Sequence, residues 1–580
     1  MELDLTEKAS FSASQLKLLD NITENAKSSY IEMINRLGRK NSNNIDWWVS
    51  EIANRNTYTS RLFWDCCLLI FAKEVLIIKS NITEIKVDSL SLKRVLDYFL
   101  NKNYPTIKVT WIVSRKRQLK YTLFPVLNYF YLILVYSTRY LMTKLMLRCL
   151  VDLPSDLTLV DTFVFDDSFE HGIFQDRYFE GFNKYLTKTE ARSFYYNPTF
   201  VISFTKTLKV FRAMKLSQNS FLPKECFLNL ADYIFAFLYP LRAIKLMPEK
   251  TYWQGLDLTP LLRAEWYYHS TSLRSIEGLL KYRFAGRLKE AGLSFRLIID
   301  WFENQSIDKG ANAGFHKFYP EVPLVGYMSL FSKYYMCMAH PTSEEYRAGV
   351  LPQVVAVSGK GFTSSIKAFC PQIEVITAPA FRHEWVWKED SMQCDPNYIT
   401  VLIALSALYE ECFNSLKVCI DALRYDLPPR VRYLLKPHPS LPLEKIIRKA
   451  SVTLPPEFRI ISGSFPEWME KADIIVGNES STVLEALAKG KPAIVIGHRS
   501  RVTMHSIPDA VPLGLWQLCY TSKDVAEAIK YLVNRDDNDL QRHKKIAETI
   551  REQCFIPVAE KNTRKFLLLE ESTNPRQRAT

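Results

Sequence analysis

Apolar and polar positions along this chain switch between two periods. Short apolar runs of strand length alternate with stretches in which apolar residues recur every three to four positions, the mark of amphipathic helices. In the C-terminal third the alternation is unbroken. It runs through strand YITVLIALS (Tyr398 to Ser406), a helix to about Leu423, strand RYLLKPH, helix LEKIIRKA, strand FRIIS, a short helix PEWMEKA, strand DIIVGN, helix STVLEALAKG and strand PAIVIG. Strands that are apolar throughout and separated by helices predict a doubly wound α/β domain whose parallel sheet is buried on both faces.

Upstream the same alternation is interrupted. A helix over Tyr58 to Ile78, a strand over Glu84 to Ser89, a helix over Leu92 to Asn101 and a strand over Ile107 to Ile112 predict the start of a second parallel sheet. The pattern breaks there and resumes with LTLVDTFVF, FRLIIDWFENQ, PLVGYMS, QVVAVSG and EVITAPA. A chain of 580 residues exceeds the size of a single core. The division expected is an N-terminal Rossmann-like domain over 1–390, interrupted by an insertion over 108–150, then a C-terminal Rossmann-like domain over 391–545, and a C-terminal helix and tail over 546–580.

Charge changes the picture most in the insertion. The formal net charge is +13, and no acidic residue stands between Asp97 and Asp152, whereas Lys108, Arg115, Lys116, Arg117, Lys120, Arg139, Lys144 and Arg148 are basic. Between these flanks the run from Tyr121 to Thr138 is uncharged and rich in tyrosine, and it contains Pro125 and Asn128. That composition disfavours a membrane span and predicts a monotopic element lying on an anionic bilayer surface. A buried helix pair with a basic solvent face is the alternative. The first residues, MELDLTEKASFS, have neither the basic nor the apolar region of a secretory signal. The 11 cysteines include no CxxC pair, as expected of small apolar residues in a reducing compartment. Both features predict a cytoplasmic protein, peripherally attached to the inner face of its membrane.

Two polar texts stand at the carboxyl ends of strands in the C-terminal third, where ligands of doubly wound sheets bind. After RYLL comes KPHPS, with Lys436, His438, Pro439 and Ser440. A histidine there can donate to a phosphate or ribose oxygen, and a lysine can neutralise phosphate. After DIIVG come Asn478 and then Ser480, Ser481 and Thr482 at a helix start, with Glu485 in its first turn. Free backbone N–H groups and the helix dipole attract an anion at such a place. The two texts are expected to leave neighbouring strands of one sheet and so to share a nucleotide. Helix capping by Ser480 or Ser481 with Glu485 is compatible with that role.

KPHPS followed by ESSTVLEALAKGKPAIVIG resembles the HP and serine motifs of CMP-sugar glycosyltransferases of the GT-B fold: bacterial sialyltransferases, polysialyltransferases and β-Kdo transferases. A similar pair occurs in teichoic-acid glycerophosphotransferases, which use CDP-glycerol. The resemblance implies that His438, Pro439, Ser480 and Ser481 hold cytidine monophosphate. WWVSEIANRN, WFENQ with GFHKFYPEVPLVGYMS, and GVLPQVVAVSGKG also resemble bacterial surface-carbohydrate biosynthesis proteins. The acidic motif of sialyltransferases, two acids and then glycine, has its nearest counterpart in FDDSFEHG, with Asp166, Asp167, Glu170, His171 and Gly172.

Glycosyl transfer needs a carboxylate facing the anomeric carbon, as general base or as nucleophile. Glu303 in WFENQ is the first candidate, and Asp167 and Asp166 follow; each has a solvated loop or a helix cap as its ordinary alternative. His171, Asn304 and Gln305 are candidates for contact with acceptor or sugar hydroxyls. No acidic pair at metal-ligand spacing occurs, so neither metal nor cofactor is expected beyond the donor. The whole predicts a GT-B enzyme, two facing Rossmann-like domains, moving a sugar such as Kdo from a CMP donor to a lipid-linked bacterial glycan. A UDP-, GDP- or CDP-linked donor, and a non-catalytic membrane adaptor binding nucleotide or glycan, remain open. Nucleic acid is not an expected partner, because no RNA- or DNA-binding module is recognised.

Overall fold

The computed structural model describes residues 1–569 other than 80, 114, 148–153, 171, 330–336, 390–394, 396, 439–440, 451, 479, 499–502, 504, 509–510 and 512–513. Its first elements are β1 (Glu2–Asp4), α1 (Ala13–Arg39), α2 (Leu62–Ile78), β2 (Glu84–Val87), α3 (Leu90–Asn103) and β3 (Lys108–Trp111). The strands β1, β2 and β3 pair in that order, all parallel, as a small sheet of their own. The two strands read upstream of the basic block therefore do not open the large N-terminal sheet. Strand β1, three residues long, covers one side of β2, and β3 is the other edge of this sheet among the described residues.

Helix α4 (Arg115–Met146) covers nearly the whole basic and aromatic block and carries Pro125 inside it. One side is held to the body: Tyr267 Oη donates to Thr122 O (3.0 Å), Asn128 Nδ2 to Thr271 O (2.7 Å), Tyr129 Oη to Phe237 O (2.8 Å) and Tyr136 Oη to Glu277 (2.5 Å). Its other side is apolar and bare, with Leu127 65%, Phe130 64% and Leu145 84% exposed. Leu123, Leu134 and Leu141 continue the same stripe.

The first large sheet contains β4 (Leu157–Phe165), β5 (Phe194–Val201) and β6 (Ser220–Phe221). Helices α5 (Leu230–Phe237), α6 (Thr259–Tyr268) and α7 (Leu273–Glu290) follow, then β7 (Phe295–Trp301), α8 (Ser306–Phe318), β8 (Leu324–Met328), β9 (Val354–Val357) and β10 (Glu374–Thr377). The strand order is β10-β9-β8-β7-β4-β5-β6, parallel throughout. The chain enters at β4, runs outward to β6, and returns to β7 on the other side of β4, so the order reverses between β4 and β7. Helices α7 and α8 touch backbone to backbone, and a Cβ on Gly310 would lie 2.0 Å from Gly278 O, so only glycine fits there.

The second large sheet follows the same plan: β11 (Ile399–Ala404), α9 (Tyr409–Ala422), β12 (Val431–Lys436), β13 (Phe458–Ile460), β14 (Ile474–Gly477), α10 (Ser481–Ala488), β15 (Ala493–Ile496) and β16 (Trp516–Cys519). Its order is β13-β12-β11-β14-β15-β16, all parallel, with the reversal between β11 and β14. Two Rossmann-like α/β units with doubly wound sheets are thus present. The strands carrying KPHPS and the serine turn are not neighbours, because β11 lies between them.

The chain then crosses back. Helices α11 (Asp537–Cys554) and α12 (Glu560–Phe566) return to the first sheet: Ile556 N–H donates to Ser358 O (2.7 Å), Arg564 pairs with Glu190 (2.8 Å), and the Phe566 ring packs on Tyr327 and Phe381. At the opposite end of the sequence, Asp20 on α1 accepts from Tyr520 Oη (2.5 Å) and from Thr503 N–H (3.0 Å). Both ends of the chain thereby tie the two sheets together.

Candidate functional site

In open parallel sheets the ligand crevice lies beyond the carboxyl ends of the strands, where the strand order reverses. In the first sheet that place is the loops after β4 and β7, which carry Asp166, Asp167 and Glu303. In the second it is the loops after β11 and β14, the latter carrying Ser480 to Thr482, with the loop holding His438 one strand away.

Glu303 is half-buried at the exit of β7. Its carboxylate accepts from Trp301 Nε1 (2.8 Å) and from Gln305 Nε2. The loop is held from below: Asp308 Oδ2 accepts from the backbone N–H of both Glu303 and Gln305, each at 2.9 Å. Asn304 between them adopts φ 57°, the left-handed conformation that asparagine tolerates better than most residues. This twist sends neighbouring side chains opposite ways. Asn304 is fully buried and donates to Met338 O (2.8 Å), so its side chain is not available to a ligand in the crevice. Gln305 stays at the rim, where its Oε1 accepts from Arg274 (3.2 Å).

The loop after β4 holds its acids differently. Asp166 accepts from the backbone and hydroxyl of Ser203 (2.9 and 2.6 Å) and lies 3.4 Å from Lys206, contacts that outweigh desolvation and lower its pKa. It acts as a tether between two loops. Asp167 is exposed, and both its oxygens accept from Arg177 Nη2 at 2.6 Å. His171 lies outside the described residues.

On the facing wall, burial pulls the His438 imidazole below its ordinary pKa, and the charges of Arg177 and Lys436 push the same way. The ring is therefore neutral at neutral pH and can both donate and accept. Arg177 belongs to the loops of the first sheet and His438 to those of the second, and the charge of one acts on the other. Burial likewise lowers Lys436. Pro439 lies outside the described residues.

Helix α10 starts at the N-cap Ser480, whose Oγ accepts from Thr482 N–H (3.3 Å). The hydroxyl of Thr482 is buried without a hydrogen-bond partner among the described residues, at the helix start where an anion would sit. Gly477 before it is obligatory, since a Cβ there would meet Val483 at 2.8 Å. Glu485 faces inward. It accepts from Ser481 Oγ (2.7 Å) and Trp385 Nε1 (3.1 Å) and lies 3.4 Å from His383. Burial would raise this carboxyl, but His383, Ser481 and Arg382 outweigh it and hold it below its ordinary value. Glu485 thus clamps α10 to the segment 381–387 that leads from one sheet to the other.

Two arginines escaped the reading of the sequence. Arg177 pairs with Asp167, stacks on Phe165 (4.5 Å) and acts on His438. Arg382 lies over the rings of Tyr178 (5.4 Å) and Trp301 (5.9 Å), close to Glu303, while its charge also reaches Glu485. Neither sits in a motif; asking which cations the opposite wall could present to a phosphate would have singled them out. The loops at the two reversal points thus carry Glu303 on the first sheet, and His438, Lys436 and the start of α10 on the second, with Arg177 and Arg382 on segments beside them.

No protein-family model matches the chain, and no curated protein matches it. Among solved structures it is similar to the S. aureus MnaA–UDP co-structure at 13% identity, over 72% of this chain and 99% of that one, with a TM-score of 0.40. It is similar to the lipopolysaccharide outer core galactosyltransferase WaaB in its apo form at 12% identity, over 71% and 99%, TM-score 0.39. It is similar to the glycosyltransferase SnogD from Streptomyces nogalater at 13% identity, over 72% and 100%, TM-score 0.37. These scores are low, and the two-domain architecture rests on the strand orders above.

Proposed function

We propose that the chain is a GT-B glycosyltransferase that transfers a sugar from a nucleotide-activated donor to a membrane-bound glycan. One observation carries the reading: the reversal points of two parallel sheets bear a carboxylate on the first and cations with an open helix start on the second, and the charge of Arg177 from the first acts on His438 of the second. The C-terminal wall takes the donor nucleotide, its phosphate at the start of α10 beside Lys436 and His438. Arg177 and Arg382 neutralise the phosphate from the other side. Glu303, oriented by Trp301 and Gln305, takes the proton of an acceptor hydroxyl as that oxygen bonds to the anomeric carbon. The bond from the anomeric carbon to the phosphate oxygen breaks, and its electron pair leaves with the nucleotide.

The likeness of KPHPS and the serine turn to the HP and serine motifs favours a CMP donor and an ulosonic or nonulosonic acid such as Kdo. The excess of cations in the crevice agrees with an anionic sugar. For the membrane, the bare stripe of α4 is extended by Leu230, Ile234, Leu238, Leu241 and Ile244 on and after α5, which packs beside it through Tyr129 and Phe237. Among the described residues no helix is long and apolar enough to cross a membrane. An apolar platform with basic flanks fits a protein lying on an anionic bilayer.

Thermal unfolding with CMP, CDP, UDP and GDP tests the donor site. A nucleotide at 100 times its dissociation constant adds about 2.7 kcal/mol, and CMP is expected to do so. His438→Ala and Ser481→Ala should each weaken that nucleotide by ~1 to 3 kcal/mol, the scale of hydrogen bonds to charged groups. Stabilisation by UDP in place of CMP moves the donor; stabilisation by none of the four removes the site.

A further inference from the structure

A cavity of about 500 Å³ lies away from the crevice, between the small sheet, the first turns of α4, and α6. It stands at the carboxyl edge of that sheet, a third place where parallel strands leave a crevice: Asp88 and Ser89 follow β2, and Val113 follows β3. Two kinds of side chain line it. Tyr58, Trp111, Tyr121 and Tyr268 supply flat apolar faces, with Tyr121 and Tyr268 in contact at 5.5 Å. The indole N–H of Trp111 is buried with no hydrogen-bond partner among the described residues, a donor left for something else.

The charged groups are Arg61, Asp65, Asp88, Glu265 and His269. Arg61 is spent on carboxylates: Glu7 at 2.6 Å, Asp88 at 3.1 Å and Asp65 at 3.3 Å. His269 Nε2 lies 3.2 Å from Glu265. Carboxylates therefore outnumber cations among the described lining residues, and the arginine present is already surrounded. Carboxylates accept from hydroxyls and amides, and aromatic faces cover the C–H faces of a sugar ring.

Two connections place the cavity in the proposed reaction. Toward the crevice, Ser272, three residues after His269, donates to Glu51 (2.6 Å), which lies 3.7 Å from Arg274; Arg274 donates to Gln305, and Gln305 to Glu303. Toward the outside, Gln118, Tyr121 and Thr122 of the lining belong to α4, at the start of the apolar stripe.

We infer that this cavity binds a neutral sugar unit of the acceptor, the unit nearest its lipid, while the lipid follows the stripe of α4 and the growing end of the glycan reaches Glu303. The assignment rests on the reading of the chain as a transferase acting on a lipid-linked glycan. A glycan longer than one sugar follows from it, since cavity and crevice are separate.

The full-length protein is titrated by calorimetry with octyl β-glucoside, octyl N-acetyl-β-glucosaminide and octyl β-glucuronide, below micelle formation. The neutral glycosides are expected to bind at least ~10-fold more tightly than the glucuronide, because like charges are suppressed in a carboxylate-lined site. Ala264 lines the cavity and is exposed, so Ala264→Trp fills the space without entering the core and should abolish that preference. Tyr268→Ala, which removes an aromatic face, gives the same readout should the first variant melt early. Equal binding of all three glycosides, or an undiminished preference in both variants, overturns the assignment. CMP and UDP are titrated into the same samples. Glycoside preference without nucleotide binding leaves the cavity assigned as a neutral-glycoside site and sinks the donor reading; nucleotide binding without glycoside preference does the reverse.

Discussion

The strands flanking the reversal point of the second sheet, β11 and β14, contain no charged residue. Their counterparts in the first sheet contain three: Arg296 near the start of β7, and Asp161 in β4 with Asp300 in β7, these two paired directly across the strands and both buried. Like charges so placed repel, and burial adds a desolvation cost. Lys281 from α7 pairs with Asp161. Burial, then Asp308 and Asp161, drive the Asp300 carboxyl well above its usual range. A second buried network stands nearby, in which Glu345 pairs with Arg55 (3.0 Å) and Lys309 (2.6 Å). The difference lies in how each wall of the crevice is held. The nucleotide wall keeps its buried carboxylates, Glu485 and Glu411, on its helices, whereas the wall carrying Glu303 is braced from behind by charges in the strands themselves, which cost stability and fix a loop.

The comparison breaks most visibly at Glu303. Glu303→Gln retains the hydrogen bond from Trp301 and removes the base, so turnover should fall by ~10² to 10⁴-fold, the range for a general base. Nucleotide affinity should hardly change, since that site belongs to the other sheet. Measured rates with near-normal turnover in Glu303→Gln but none in Asp167→Asn would exchange the two roles.

Membrane attachment comes next and concerns the first half alone. Replacing Arg115, Lys116 and Arg117 by glutamate should lower binding to phosphatidylserine vesicles by roughly 3 kcal/mol, about 1 for each basic residue near an anionic surface. The described residues do not include these side chains, so the expectation comes from charge and from their place at the start of α4. Sedimentation that stays complete in high salt and after the reversal would mean that the apolar stripe inserts by itself.

The smallest effect tests the bracing. Burial pushes Asp308 up to about 7, above the value near 3.9 of an unfolded chain. The folded protein therefore binds the extra proton between these limits, and its stability falls as pH rises from about 4 to 7. Asp308→Asn removes that titration and can still accept from the loop. Its stability relative to wild type should improve as pH rises across that window. Parallel urea midpoints for the two proteins throughout the range would show that the carboxyl is not under strain.

Much of this was legible in the residues. In the C-terminal third the strands up to PAIVIG read correctly, since a parallel sheet covered on both faces demands apolar runs and its helices demand a 3.6-residue period, whereas the edge strand β16 was not legible. The positions of Glu303, His438 and Ser480 to Thr482 at strand ends were legible for the same reason. The small sheet was not, because its first strand, β1, is three residues long and its partner β2 begins at Glu84. The inward turn of Asn304 was not legible either; it depends on a left-handed backbone and on Met338 and Glu345, distant in sequence.

By itself the sequence determined the elements, the two-sheet class and the loops that carry polar motifs, because hydrophobic period and turn chemistry are local properties. Only the tertiary structure decided which loops share a crevice, that β11 separates the two donor loops, and that Arg177 and Arg382 face the same space as His438 and Glu303. It also decided that α4 leaves one side bare and closes a carboxylate-lined cavity with the other. These are relations among side chains brought together from far along the chain, and charge, burial and contact arise only there.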